Sequence, residues 1–306
     1  MRAALITQLG EPPAAAEQSK PAVLTDHVVV DVLAAPITPL DLLCATGTSY
    51  FGSPATPYVP GVQGIGTVGG RAVWFPTTAG MTAGNGSMAE KALVRQEDLV
   101  FLPDDVPPVE MAALGLSAVA AHMALTWRGE LKPGETVIVL GCGAVGQSAI
   151  QLARAAGAGR VVAAARSEKG RERAARAGAD TVISLEPSEF VGIEADLLLD
   201  PLFGAPAAAA AQTLRPGGRW VNLGGSADET CPITSSTLRS RSLRLSGYTN
   251  NELTAHQRAE AISTVAHLAA RGALAVDHEV VRLAEVTNAW RRQAEGATRG
   301  RIVLVP

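Results

Sequence analysis

Hydrophobic and polar positions follow two different rules along this chain. Up to about residue 110, short alternating runs dominate: AALITQL, HVVVDVLAAP, GVQGIGTVGGRAVWF and KALVRQEDLVFLP. A period of two predicts half-buried strands, and the glycines and prolines among them predict tight corners and bulges. Near Pro107 the rule changes. Residues 109–127 form an apolar stretch that predicts a helix, and from Lys132 to Gly247 apolar runs alternate with alanine-rich segments. TVIVL, RVVAAA, DTVISL, DLLLD, RWVNLGG and SLRLSGY predict strands, while QSAIQLARAAG, EKGRERAARAG and APAAAAAQTL predict helices. Such alternation, with helices of about ten residues, predicts a parallel sheet covered on both faces. After Asn251 come one long helix, TAHQRAEAISTVAHLAARG, then AVDHEVV, a short helix and the strand RIVLVP. That tail has no obvious place in the parallel sheet and is expected to return to the first domain. The reading is an α/β protein with a β-rich first domain over 1–112, a doubly wound parallel sheet over 113–251 and a return over 252–306.

Composition narrows the function classes. A length of 306 residues suits two domains. With 47% apolar residues and a net charge of −3, the chain is globular and lacks the basic field that attracts nucleic acid or anionic membrane, so neither is expected as a partner. No apolar run is read as a membrane span, and the N-terminal MRAALITQLGEPP lacks a signal peptide's apolar core. Cys44, Cys142 and Cys231 are an odd count without a CxxC, which points to the cytoplasm and away from a disulfide framework.

One motif carries chemistry. Gly141-Cys142-Gly143-Ala144-Val145-Gly146 fits G-x-G-x-x-G, follows a predicted strand and opens a predicted helix. Gly141 permits a tight turn, Gly143 lets a pyrophosphate approach the backbone, and Gly146 lets helix and strand pack closely; the helix N-terminus adds N–H donors. An acid about 20 positions further on would bind the ribose 2′-OH of NAD. Ala165 stands there instead, followed by Arg166 and Ser167, with Arg171 one turn into the helix. Guanidinium groups at that place suit a 2′-phosphate, which makes NADPH the expected cofactor. Asn222, Leu223 and Gly224 follow another predicted strand, where parallel sheets bind ligands, and join the candidate cofactor site.

These stretches together resemble the medium-chain dehydrogenase/reductase superfamily and, within it, the zinc-free, zeta-crystallin-like quinone oxidoreductases. PGVQGIGTV is similar to that family's Pro-Gly-x-Glu-x-x-Gly-x-Val, and NGSMAEKALV to its Gly-x-x-Ala-Glu-Tyr corner. LKPGETVIVLGCGAVG, ARAGADTVI, LRPGGRWVNLGG and TRGRIVLVP match further family stretches, so the likeness covers nearly the whole chain. It implies a GroES-like catalytic domain built from 1–112 and 252–306 around a Rossmann NADPH-binding domain, and a homodimer joined through Rossmann edge strands, here SLRLSGY. It implies hydride transfer from NADPH to a small molecule, a quinone or an α,β-unsaturated carbonyl, without zinc. A zinc-free alcohol or imine dehydrogenase, a specialised biosynthetic reductase and an NADPH-binding redox sensor with little turnover are the alternatives.

The resemblance also nominates residues. Thr38 stands where quinone oxidoreductases commonly have Asn, Asp41 matches a family Asp, and Tyr50 falls near a Tyr that faces the active site; these are the catalytic candidates. Thr38-Pro39-Leu40-Asp41 also reads as a capping box that starts a helix, so capping and catalysis both stay open. Leu116 and Ser117 align near the segment that lies against the nicotinamide in relatives. The ligand positions of zinc-dependent relatives fall on Thr38, Val62 and Gln63, so no metal is expected. Gln63 is expected to pin a glycine-rich corner.

Overall fold

The computed structural model describes residues 1–306 and divides into two compact units. The first comprises residues 1–115, 262–272 and 276–306; the second comprises 116–261 and 273–275. The divisions expected at 112/113 and 251/252 fall instead at 115/116, where α2 (Pro108–Met123) breaks, and at 261/262, inside α7 (Ala255–Ala270).

The first unit opens with a hairpin of β1 (Arg2–Leu5) and β2 (Ala14–Glu17). Then come β3 (His27–Pro36), α1 (Pro39–Thr46), β4 (Gln63–Val68), β5 (Arg71–Pro76), β6 (Lys91–Arg95), β7 (Val100–Phe101) and α2 (Pro108–Met123). KALVRQEDLVFLP, which reads as one strand and a turn, holds two strands with a 3-10 turn between them. The turn joining β4 to β5 uses Gly69 and Gly70 at φ +57° and +78°, the left-handed pair that a two-residue hairpin turn requires. α2 is not one regular helix. It breaks at Gly115 (φ 31°, ψ −131°), the last residue of the first segment of this unit. With the π-helical turn that follows, Pro108–Arg128 is long and apolar enough to cross a membrane, which corrects the reading that no such run exists; 67% of it is buried in protein, as in a core helix.

The second unit holds β8 (Thr136–Leu140), α3 (Ala144–Ala155), β9 (Arg160–Ala164), α4 (Glu168–Arg176), β10 (Thr181–Ile183), β11 (Ala195–Asp200), α5 (Gly204–Ala211), β12 (Leu214–Asn222), α6 (Ser235–Ser240) and β13 (Arg244–Gly247). All six strands are parallel, in the order β10-β9-β8-β11-β12-β13. Every residue of β8 is buried, as a central strand covered on both faces must be. Alanine does much of the covering: Ala207, Ala210 and Ala211 of α5 are fully buried with Ile138, Leu140 and Trp220. Short side chains let a helix lie close on a sheet without steric conflict.

The chain then enters α7 (Ala255–Ala270), β14 (His278–Arg282), α8 (Val286–Ala294) and β15 (Arg301–Val305). β15 pairs with β14 and with β3, completing a seven-stranded sheet in the order β14-β15-β3-β4-β5-β7, with β6 also on β3. The C-terminal tail thus returns to the first domain's sheet. Its core gathers Ile37, Phe75, Met88, Trp290 and Ile302 around Val30.

Candidate functional site

β8 ends at Leu140, and Gly141 turns the chain at φ +73°, with its N–H bonded to Ala164 O at 2.8 Å. Gly143 caps α3 in extended conformation, and no side chain caps the first turn. The helix therefore begins with N–H donors that no cap side chain accepts, facing a backbone with no Cβ. The three glycines answer to three different constraints. A Cβ on Gly146 would lie 1.8 Å from Gly141 O, so only glycine lets α3 lie on the turn. A Cβ on Gly141 would meet Leu202 Cδ2 at 3.1 Å. A Cβ on Gly143 would meet nothing within 4 Å: open space lies over it, which is the cradle a pyrophosphate would fill. The loop also sits at the switch point of the sheet, since the chain leaves β8 toward β9 on one side and reaches β11 on the other.

At the end of β9, Ala165 is buried and Arg166 is exposed. Ser167 is the N-cap of α4, its hydroxyl accepting from Gly170 N at 3.1 Å. Arg171 Nη1 folds back to the carbonyls of Ala165 (3.3 Å) and Arg166 (3.1 Å). The structure brings these three predicted residues together, and it gives Ser167 a structural duty in addition. Cys142, inside the glycine loop, is held as an inert thiol: burial pushes its pKa up to about 12, with the Arg173 charge pulling the other way.

Sequence reasoning missed the organising residue beside the loop. Asp200, the last residue of β11, is fully buried. Its Oδ1 accepts from Leu202 N (2.9 Å) and Phe203 N (2.7 Å), and its Oδ2 from Trp220 Nε1 (2.9 Å) and Asn222 Nδ2 (3.3 Å). Asn222 also donates to Gly224 O at 2.9 Å, and Leu223 N to Asp200 O at 2.7 Å. Asn222, Leu223 and Gly224 are thus tied to the exit of β11, and the amide donors of Asn222 act inside the protein. The acid ending DLLLD was the available signal. Ser117 is buried in α2. Its neighbour Leu116 accepts through its carbonyl from Asn250 Nδ2 at 3.0 Å, and Asn250 Oδ1 accepts from Tyr248 OH at 2.7 Å. The segment after β13 is joined to the Leu116–Ser117 segment through one side chain.

In the first unit, Thr38 and Asp41 form the complete capping box of α1. Thr38 Oγ1 donates to Asp41 Oδ2 at 2.6 Å, Thr38 N to the same oxygen at 2.8 Å, and Asp41 N donates back to Thr38 Oγ1 at 3.2 Å. Asp41 Oδ1 accepts from Val62 N at 2.9 Å. Both side chains are buried. Burial pushes the Asp41 carboxyl up, while the bonds from Thr38 and Val62 and the charge of Arg301 pull it back. The geometry is that of a cap: a hydroxyl that gives its proton to Asp41 has none for a substrate. Tyr50 is 75% exposed and packs on Phe51 at a centroid distance of 4.3 Å, whereas Thr38 and Asp41 are buried. Gln63 is buried, accepts from Trp74 Nε1 at 2.9 Å and packs on Gly115, where a Cβ would lie 2.2 Å from its Oε1.

The zinc-binding dehydrogenase family matches residues 144–269. A mitochondrial enoyl-[acyl-carrier-protein] reductase of Rattus norvegicus is 32% identical over 250 residues, covering 74% of this chain and 65% of the rat protein. A quinone oxidoreductase of Pongo abelii is 32% identical over 201 residues, covering 62% of this chain and 60% of that protein. The chain thus aligns with just under two thirds of the length of these curated relatives. The quinone oxidoreductase of Thermus thermophilus, described with its NADPH complex, superposes over 100% of both chains with a TM-score of 0.87 and 28% identity. The fold is that of the medium-chain dehydrogenases/reductases, and the sequence is similar to quinone oxidoreductases within that superfamily.

The name of the matched family raises the question of zinc. At the positions that the resemblance aligns with zinc ligands stand a threonine spent on a cap, an aliphatic Val62, and the amide of Gln63 engaged by Trp74. Nowhere do three His, Cys, Asp or Glu side chains converge. These donors do not fit zinc.

Proposed function

We propose that the protein is an NADPH-dependent oxidoreductase that reduces a quinone or an α,β-unsaturated carbonyl without zinc. The observation that carries this reading is the glycine loop, with open space over Gly143 at the uncapped start of α3. NADPH, when bound, supplies the hydride. The chain's residues do the rest of the binding. The Gly141–Gly146 backbone takes the pyrophosphate, and Arg166, with Arg171 beside it, takes the 2′-phosphate. Hydride addition to an enone places negative charge on its oxygen, and a proton completes the reduction. The rat relative favours the enone arm, because an enoyl group is an α,β-unsaturated carbonyl.

The test is NADPH oxidation by the purified protein with an ortho-quinone, an alkyl enone and an aldehyde in parallel, repeated with NADH. Turnover of quinone or enone is the expected result. Turnover of the aldehyde alone would replace the reading with an alcohol dehydrogenase, and tight NADPH binding without turnover would make the protein a sensor. Arg166→Ala is expected to raise the NADPH KM about 10- to 100-fold while leaving NADH within about 2-fold, because a charge-assisted bond to phosphate contributes ~1.5–3 kcal/mol. Equal losses with both cofactors would remove Arg166 from the phosphate site.

We further propose a homodimer through β13, an edge strand of the parallel sheet whose Leu245 is 43% exposed. Light scattering is expected to give twice the chain mass of 31.5 kDa, and Leu245→Glu to shift the protein to monomer. A parent protein already monomeric at micromolar concentration would end this proposal.

A further inference from the structure

The turn that leaves β11 holds a residue in a conformation that its side chain opposes. Phe203 has φ 57° and ψ −160°, a region occupied almost only by glycine. A residue stays there only when its surroundings hold it. Here Asp200 Oδ1 accepts from Leu202 N and Phe203 N, at 2.9 and 2.7 Å. From the other side, the carbonyls of Pro201 and Leu202 accept from Ser226 Oγ (3.0 Å) and Ala227 N (2.8 Å). The Phe203 ring lies against Trp220, centroids 5.9 Å apart. The outcome of this hold is the position of Leu202 and Pro201, which lie against Gly141: a Cβ there would meet Leu202 Cδ2 at 3.1 Å and Pro201 Cγ at 3.8 Å.

We propose that Asp200 and Phe203 form a clamp that positions the dinucleotide loop: the buried carboxylate holds Phe203 in its strained conformation, and the resulting turn sets Leu202 and Pro201 against Gly141. Both are positioning residues, acting through the turn. The inference rests on the reading that the loop binds NADPH.

Glycine adopts the Phe203 conformation without strain, whereas a β-branched residue resists it more than phenylalanine does. Neither glycine nor valine supplies the ring. The two substitutions therefore separate backbone conformation from ring packing. In a fluorescence titration with NADPH, Phe203→Gly is expected to keep Kd within about 2-fold. Phe203→Val is expected to raise it about 10-fold, or ~1.4 kcal/mol, because only a fraction of the protein then holds the receptive turn. Asp200→Asn has one acceptor for four donors and is expected to weaken binding similarly. Adding Phe203→Gly to Asp200→Asn is expected to recover most of that loss, a rescue that a purely structural Asp200 would not show. Equal weakening by Gly and Val would assign the effect to the ring and overturn the clamp. Unchanged binding in both would detach the turn from the site, with the same consequence. If the parent protein bound no NADPH in the same titration, the proposed function itself would fail first, and the clamp with it.

Discussion

Gly146→Ala is expected to yield little folded protein, while Gly143→Ala folds as the parent does and binds NADPH at least about 10-fold more weakly. The two substitutions add the same methyl group three residues apart in one loop. At Gly146 the new carbon would stand 1.8 Å from the carbonyl oxygen of Gly141, which is backbone and fixed at the end of a buried strand. Overpacking of a core ordinarily costs ~1–3 kcal/mol because side chains move aside. Here a main-chain turn would have to open and lift α3 from the sheet, so the cost exceeds that range. At Gly143 the new carbon meets nothing within 4 Å, and the residue's φ of −74° and ψ of −166° suit any amino acid. The methyl would occupy only the open space that the proposed function gives to the pyrophosphate. Thermal unfolding and NADPH titration of both proteins check the pair. Full-strength binding by Gly143→Ala would mean that the pyrophosphate does not approach the loop there.

Asp41→Ala is expected to destabilise the protein by about 3–5 kcal/mol, with activity falling only as the folded fraction falls. Three donors, from Thr38 N, Thr38 Oγ1 and Val62 N, converge on this buried carboxylate. Each buried donor left without an acceptor costs ~1–3 kcal/mol, part of which a water or a side-chain rotation returns. Arg301, also buried, would lose the negative charge that offsets its desolvation; burial already pulls its pKa down to about 10. Its Nη1 bond to Ile37 O, at 2.8 Å, remains. Denaturant unfolding, with turnover measured on the folded fraction, checks the expectation. An Asp41→Ala protein as stable as its parent but inactive would return Asp41 to catalysis.

The parts of the site legible in the sequence are those whose constraints are local. The glycine loop is one: three glycines, the strand before and the helix after lie within a few residues, with Gly141 at the positive φ of the turn and Gly146 against the loop's own backbone. The capping box of Thr38 and Asp41 is another, being a bond between residues three apart. What the sequence left open was which duty those two residues perform. The tertiary structure favours the cap, because Val62 from the turn before β4 and Arg301 from β15 complete the surroundings of Asp41. Ser167 is a similar case, recognised by place and found to hold a helix start. Tyr50 was nominated through a family likeness alone, and its exposed position follows from a loop course that no periodicity describes. Asp200 and Phe203 were passed over because an acid at a strand end is a signal without a unique meaning, and a phenylalanine two residues after a proline carries none. Their meaning lies in Trp220, Asn222 and Gly141, which come from other strands and their exits.

The sequence by itself determined two domains of different strand logic, the strand–glycine loop–helix, the guanidinium groups at the end of β9, and the return of the C-terminal tail. Hydrophobic period and turn chemistry act over a few residues and are therefore written in order along the chain. Only the tertiary structure decided the position of Gly115 in α2, the partners of Asp41, and the turn at Asp200–Gly204 that lies on the nucleotide loop. Those depend on which strand ends become neighbours, and that is settled by burying both faces of a sheet at once, a condition no short stretch of sequence expresses.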